Sequence, residues 1–152
     1  MREGRVQIRR ARRTDFTAVM GVLAASGVAL PAPDRATLRR FRQLVADLGG
    51  DFYVASVDGV VVGLVHVTYA RQLAGPPSAW LDHVVVAPTF RRRGIGAALL
   101  AFIEKRVCRR GCVALALVVP DRADDIAARR FLQMGGFTAM GERFIKRVRG
   151  SN

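Results

Sequence analysis

Arg91-Arg92-Arg93-Gly94-Ile95-Gly96 lies between an apolar, strand-like run from Leu81 to Ala87 and a helical apolar period that begins near Gly96 and continues through Leu99, Leu100, Ile103 and Val107. This order of strand, basic glycine-rich turn and helix builds an anion cradle. The unpaired N–H groups of a helix start point outward, the helix dipole adds positive charge, and glycine lets a phosphate touch the backbone. Spacing excludes two other phosphate turns. A P-loop needs glycine, four residues and then Gly-Lys-Ser/Thr, a dinucleotide fold needs Gly-x-Gly-x-x-Gly, and Gly94, Gly96, Ala97, Ala98 and Leu99 fit neither. The turn points to a phosphorylated cofactor.

The pattern Arg-x-x-Gly-x-Gly stands between Val84-Val85-Val86-Ala87-Pro88 and Ala128-Arg129-Arg130-Phe131-Leu132-Gln133-Met134-Gly135-Gly136-Phe137. Together these segments resemble the GNAT superfamily of N-acetyltransferases, from about Ile8 to the end of the chain. The resemblance implies a single α/β domain over residues 1–152, with a mixed, mostly antiparallel sheet of six or seven strands, a splayed parallel pair and about four flanking helices. It implies acetyl-coenzyme A as acetyl donor and no metal. Its cofactor positions fall on Val84, Val85, Val86, Arg91, Arg92, Arg93, Gly94, Ile95, Gly96, Ala97, Asp125, Arg129 and Phe131, with the backbone amide of Val85 or a neighbour meeting the thioester carbonyl.

Acetyl transfer needs a neutral amine, a donor to the carbonyl oxygen and a proton for the departing thiolate. The resemblance places Asp82 where many members carry a carboxylate facing the acceptor, and His83 stands beside it. Strand alternation sends the two to opposite faces unless a bulge intervenes, and Asp82 is the first choice of base. The alternative reading has Asp82 pairing with an arginine and His83 or His66 as ordinary strand histidines satisfied by hydrogen bonds. Two positions depart from the family pattern. Leu132 replaces a tyrosine that often protonates the thiolate, and Asp125 replaces an asparagine that binds the pantetheine arm; an ionised aspartate accepts hydrogen bonds but donates none.

Elsewhere strands and helices alternate. Val6 to Ala11 reads as a strand, and Phe16 to Ala25 as a helix capped by Thr14 or Asp15. Asp34 caps a second helix with Leu38, Phe41, Leu44, Val45 and Leu48 on one face, ended by Gly49-Gly50. Asp58-Gly59 joins Phe52–Val57 to Val60–Tyr69 as a hairpin. The continuous apolar run Cys112 to Val119 predicts a central strand covered on both faces. Asp121 to Met134 reads as the fourth helix, and Phe137 to Met140 and Arg143 to Val148 as closing strands.

Composition limits the function classes. At 152 residues and 51% hydrophobic content, one sizeable core is expected. No apolar run reaches the roughly eighteen residues of a membrane span, and the basic start leads into a strand pattern instead of a signal-peptide core, so a cytoplasmic protein is expected. Cys108 and Cys112 lack a nearby histidine pair, which favours buried or half-buried free thiols. The net charge of +13, from 25 Lys plus Arg against 12 Asp plus Glu, attracts polyanions such as coenzyme A. Most of that excess lies in Arg2–Arg13, Arg109-Arg110 and Arg143–Arg149, as expected for a solvated surface in an arginine-preferring chain.

Three readings follow. The first is an N-acetyltransferase acting on a primary amine of a small molecule or peptide by direct attack in a ternary complex, with a homodimer as a possible state. The second is an acetyl-coenzyme A sensor or interaction module with weak or no catalysis. The third is a basic nucleic-acid-associated protein, for which only the charge speaks.

Overall fold

The computed structural model describes residues 4–119, 126–141 and 144–147. The chain forms two compact units, one ending at Val118 and the other beginning at Val119.

The first unit is a five-stranded sheet in the order β1-β2-β3-β4-β5. β1 (Val6–Arg10), β2 (Gly50–Val57), β3 (Val60–Ala70) and β4 (Ser78–Val86) form an antiparallel meander. β5 (Leu115–Ala116) adds to β4 in parallel. Asp58-Gly59 makes the expected hairpin turn, and both residues take the positive φ that a type I′ turn requires (49° and 82°). β2 and β3 are buried along most of their length because helices cover both faces.

On one face α1 (Phe16–Ala25) and α2 (Arg35–Ala46) close a core of Val19, Val22, Leu23, Phe41, Phe52, Val54 and Leu64. α1 begins where expected, but Asp15 does not cap it. Its carboxylate accepts from the Arg12 N–H (2.7 Å) and takes both ends of the Arg9 guanidinium (2.7 and 2.8 Å), tying β1 to the helix entry. Asp34 caps α2 by accepting from the Thr37 N–H at 2.9 Å. Only Phe41 among the apolar residues of α2 is fully buried, and Leu44 and Leu48 are exposed, so the expected apolar face is narrower than its spacing implies.

α3 (Ile95–Arg109) packs on the opposite face through Leu99 and Ile103. Gly63 lets it approach. A Cβ there would stand 3.1 Å from the Val85 carbonyl oxygen and 3.3 Å from Leu99. The far end of α3 is held by a buried charge. Asp51, fully buried on this face, accepts from the Tyr69 hydroxyl (2.7 Å) and meets Arg106 (3.4 Å), Arg110 (3.5 Å) and Arg10 (3.6 Å).

Three expectations are corrected among the described residues. The sheet has five strands, fewer than six or seven. The run Cys112 to Val119 pairs only at Leu115 and Ala116 and lies at the end of the sheet, with Val113 and Val118 exposed; an apolar run becomes a central strand only if neighbours flank it on both sides. Residues 137–140 and 144–147 are not in strands, and Met140, Phe144 and Ile145 are exposed; 143 and 148, the ends of the second predicted closing strand, lie outside the described residues. Cys112 is buried and Cys108 exposed, both free. In the second unit α4 (Ile126–Met134) ends as Phe137 N–H donates to the Leu132 carbonyl (3.0 Å) with Gly136 at φ 86°. The predicted start of that helix, 121–125, lies outside the described residues.

Burial pushes the Asp51 carboxyl up, but the Tyr69 hydroxyl and the arginines outweigh it and hold it below its ordinary value. Its stabilisation is therefore complete above about pH 4 and is lost as pH falls through the folded value. Asp51→Asn should cost about 3 kcal/mol in urea unfolding at pH 7 and flatten the acid limb of the stability profile. An unchanged midpoint would show that the arginines do not depend on this carboxylate.

Candidate active site

The site is built where β4 loses its partner. β5 pairs with β4 at Ala79 and Trp80 only, and residues 117–119 run on without pairing. From Leu81 to Val86 the edge of β4 that faced β5 has no ladder partner among the described residues, so the backbone groups of Val84 and Val86 that point away from β3 line an open slot, with the Val86 carbonyl met by Arg91 and Ser26. Val85, the expected donor, instead turns its backbone toward β3, its carbonyl oxygen beside Gly63.

The chain leaves β4 through Ala87 and a short 3₁₀ turn, Pro88–Phe90, into the basic turn. Arg91 Nε donates to the Val86 carbonyl at 3.2 Å, and the Arg93 guanidinium lies 5.0 Å over the Phe90 ring. These contacts shape the turn. Arg92 and Gly94 both take left-handed backbone (φ 64° and 76°), and Gly94 precedes α3 with no side chain capping the helix. The first helical bond runs from Ala98 N–H to the Gly94 carbonyl at 3.0 Å, which leaves the N–H groups of Ile95, Gly96 and Ala97 at the uncapped start. Arg91, Arg92, Arg93, Gly94 and Ala97 are exposed, so the cradle is open to solvent and suits a polyanionic pyrophosphate.

Asp82 and His83 lie on the face of the sheet that carries α1 and α2. Between His66 and Val67 β3 advances one residue while β4 advances two, from His83 to Leu81, so Asp82 is the extra residue of a β-bulge. The expected alternation fails here. His83 sits directly opposite His66, and Asp82 turns to the same side, accepting from the Thr68 hydroxyl (2.8 Å) with His66 Nδ1 at 3.3 Å from the same oxygen.

His66 is buried, its ring 5.2 Å from that of Phe52. Burial lowers its pKa against the pull of Asp82, so it is neutral at pH 7. A carboxylate can only accept, which puts the proton on Nδ1 and leaves Nε2 buried without a partner among the described residues. His83 is open to solvent, yet the protein around it lowers its pKa, opposed by Asp82.

The structure brings Asp82, His83 and Val84–Val86 together on β4 and joins them to Arg91–Ala97 through one turn. Arg129 and Phe131 lie on α4 of the second unit, and Asp125 is outside the described residues. Sequence reasoning assigned no part to Thr68 or Trp80. Tyr53 and Tyr69 face the other side, packed on Phe102 and bonded to Asp51. Among the described residues no cluster of three or more His, Cys, Asp or Glu could hold a metal, and no helix is long and apolar enough to cross a membrane.

The model of the acetyltransferase (GNAT) family matches residues 8–137, which contain both the slot and the cradle. The chain belongs to this family. An acetyltransferase of Photorhabdus laumondii is 41% identical over 73 residues, 48% of each chain. An L-2,4-diaminobutyric acid acetyltransferase of Nocardia farcinica is 39% identical over 82 residues, 53% of this chain and 42% of its own. The matched stretch thus spans about half the length of these curated relatives. In fold, the chain is similar to the aminoglycoside N-acetyltransferase AAC(6′)-Iy, solved in complex with coenzyme A, with a TM-score of 0.83, 21% identity and 98% of both chains covered.

Gly96 has ordinary helical backbone, so a side chain there carries no backbone strain and would obstruct an anion at the cradle. Gly96→Val should weaken coenzyme A binding at least tenfold, about 1.4 kcal/mol, in calorimetry while cooperative melting persists. Unchanged affinity would remove the cradle from the binding site.

Proposed function

We propose that the chain transfers an acetyl group from acetyl-coenzyme A to a primary amine by direct attack in a ternary complex. The carrying observation is that the free edge of β4 runs from the bulged Asp82 into the uncapped start of α3, so proton acceptor, slot and anion cradle share one continuous segment. Membership of the acetyltransferase family supports the reading.

The donor supplies an activated thioester. The N–H groups of Ile95, Gly96 and Ala97, with Arg91, Arg92 and Arg93 around them, would hold its pyrophosphate. A backbone N–H on the free edge, of Val84 or Val86 rather than Val85, would stabilise the carbonyl oxygen as charge builds there.

Asp82 would take the ammonium proton, directly or through water. Thr68 and His66 both engage its Oδ2, which fixes a carboxylate that is still partly open to solvent. Neutral His83 beside it is a second acceptor for the same proton. Tyr69 cannot supply the thiolate's proton from this side, since its hydroxyl serves Asp51 and burial raises its pKa.

Asp82→Asn removes proton-accepting power at nearly constant size. Turnover with an amine acceptor should fall about 10²- to 10⁴-fold at pH 7 and recover in part at higher pH, where free amine is abundant, while acetyl-coenzyme A affinity stays within twofold. Turnover equal to wild type across the pH range would move the base to His83 or solvent.

A further inference from the structure

Trp80 is the only tryptophan in the chain, and 44% of its surface is exposed. It stands directly opposite Thr68 on β3, the residue whose hydroxyl donates to Asp82, so Trp80 and Asp82 share one face of the sheet. The alternate residues Ala79 and Leu81 turn inward and are buried. Trp80, Asp82 and His83 are thus exposed together on β4, an aromatic surface next to a carboxylate in a chain of net charge +13.

A large indole left half open costs hydration free energy that a ligand recovers by covering it, and its electron-rich face also attracts a cation. The neighbouring carboxylate fixes the sign of the ligand's polar end. Two residues along a strand span roughly 6 to 7 Å, the distance between a nitrogen at Asp82 and the centre of a flat group at Trp80. In an arylalkylamine, three or four bonds between nitrogen and ring bring the ring centre close to this span. So does the reach from a peptide's free N-terminus to the side chain of an aromatic first residue.

We infer that Trp80 determines acceptor specificity, and that the acceptor is a primary amine with an aromatic group a few bonds from the nitrogen, its ring on Trp80 and its ammonium at Asp82. The inference rests on Asp82 as the acceptor-side carboxylate. It deepens the proposed function by naming the substrate class. The backbone slot beyond Asp82 is left to the donor, so ring and thioester approach the nitrogen from opposite directions along β4.

The single tryptophan provides a direct readout. With saturating coenzyme A present to prevent turnover, phenethylamine should quench or shift emission excited at the red edge of tryptophan absorption, and 2-phenylethanol, which lacks the charge, should do so at least fivefold more weakly. In turnover assays, kcat/KM for phenethylamine should exceed that for ethylamine about five- to tenfold, a ratio lost in Trp80→Ala and restored in Trp80→Phe. Comparing tripeptides that begin with Phe or Gly distinguishes a peptide terminus from a free amine as the source of the same chemistry. Emission that responds to phenethylamine without any acetyl transfer would uphold this inference and count against the catalytic reading. Transfer to amines with no aromatic preference and no change in emission would overturn the inference and leave the catalytic reading standing. Emission that changes with protein concentration alone would also overturn it, by showing that a second copy covers this face.

Discussion

Parallel pairing between β4 and β5 stops at Trp80, and the chemistry of the molecule depends on where it stops. Had β5 continued alongside, the edge of β4 from Leu81 to Val86 would be consumed by a ladder, and an apolar sheet would run unbroken into the turn before α3. Divergence frees those backbone groups. Those that point away from β3 sit at the edge, where a bound molecule or water can satisfy them. The same strand stays rigid because its other edge pairs with β3 from Ser78 to Val86, and Gly63 lets α3 lie close beneath it.

The bulge at Asp82 is the second device on that strand. One extra residue turns a carboxylate that alternation would separate from His83 onto the same side, and the partner strand supplies Thr68 and His66 to hold it. The opposite face handles charge differently. There Asp51 is enclosed by Tyr69 and three arginines, and Arg106 and Arg110 bind the last turns of α3 to the sheet. One carboxylate is left partly open to solvent and the other is locked in a buried network.

The sequence made some of this legible and hid the rest for physical reasons. The Asp58-Gly59 hairpin, α1 and the glycine-led start of α3 were readable because each depends on local geometry: a two-residue turn, a helical period, and a glycine at a helix start. The bulge was not, since register is decided between strands, and nothing in Leu81-Asp82-His83 reports that His66 lies opposite His83. Asp51 reads as a polar residue at a strand end, and its burial depends on arginines 41 to 59 positions away along the chain. Trp80 precedes the apolar run read from Leu81, and its exposure follows from its place on the open face beside Asp82. The run Cys112 to Val119 carried the hydrophobicity of a central strand, but two residues of pairing are all that the divergence from β4 leaves it.

The central claim is that β4 and the start of α3 act as one binding surface for the acetyl donor. Two-dimensional amide NMR with coenzyme A as titrant tests it most directly. The account predicts that the cross-peaks of Ile95, Gly96 and Ala97 move furthest, followed by those of Val84 and Val86, as their N–H groups take up anionic and carbonyl partners. Coenzyme A that binds while these amides stay unmoved, or that perturbs chiefly the arginines around Asp51, would contradict it.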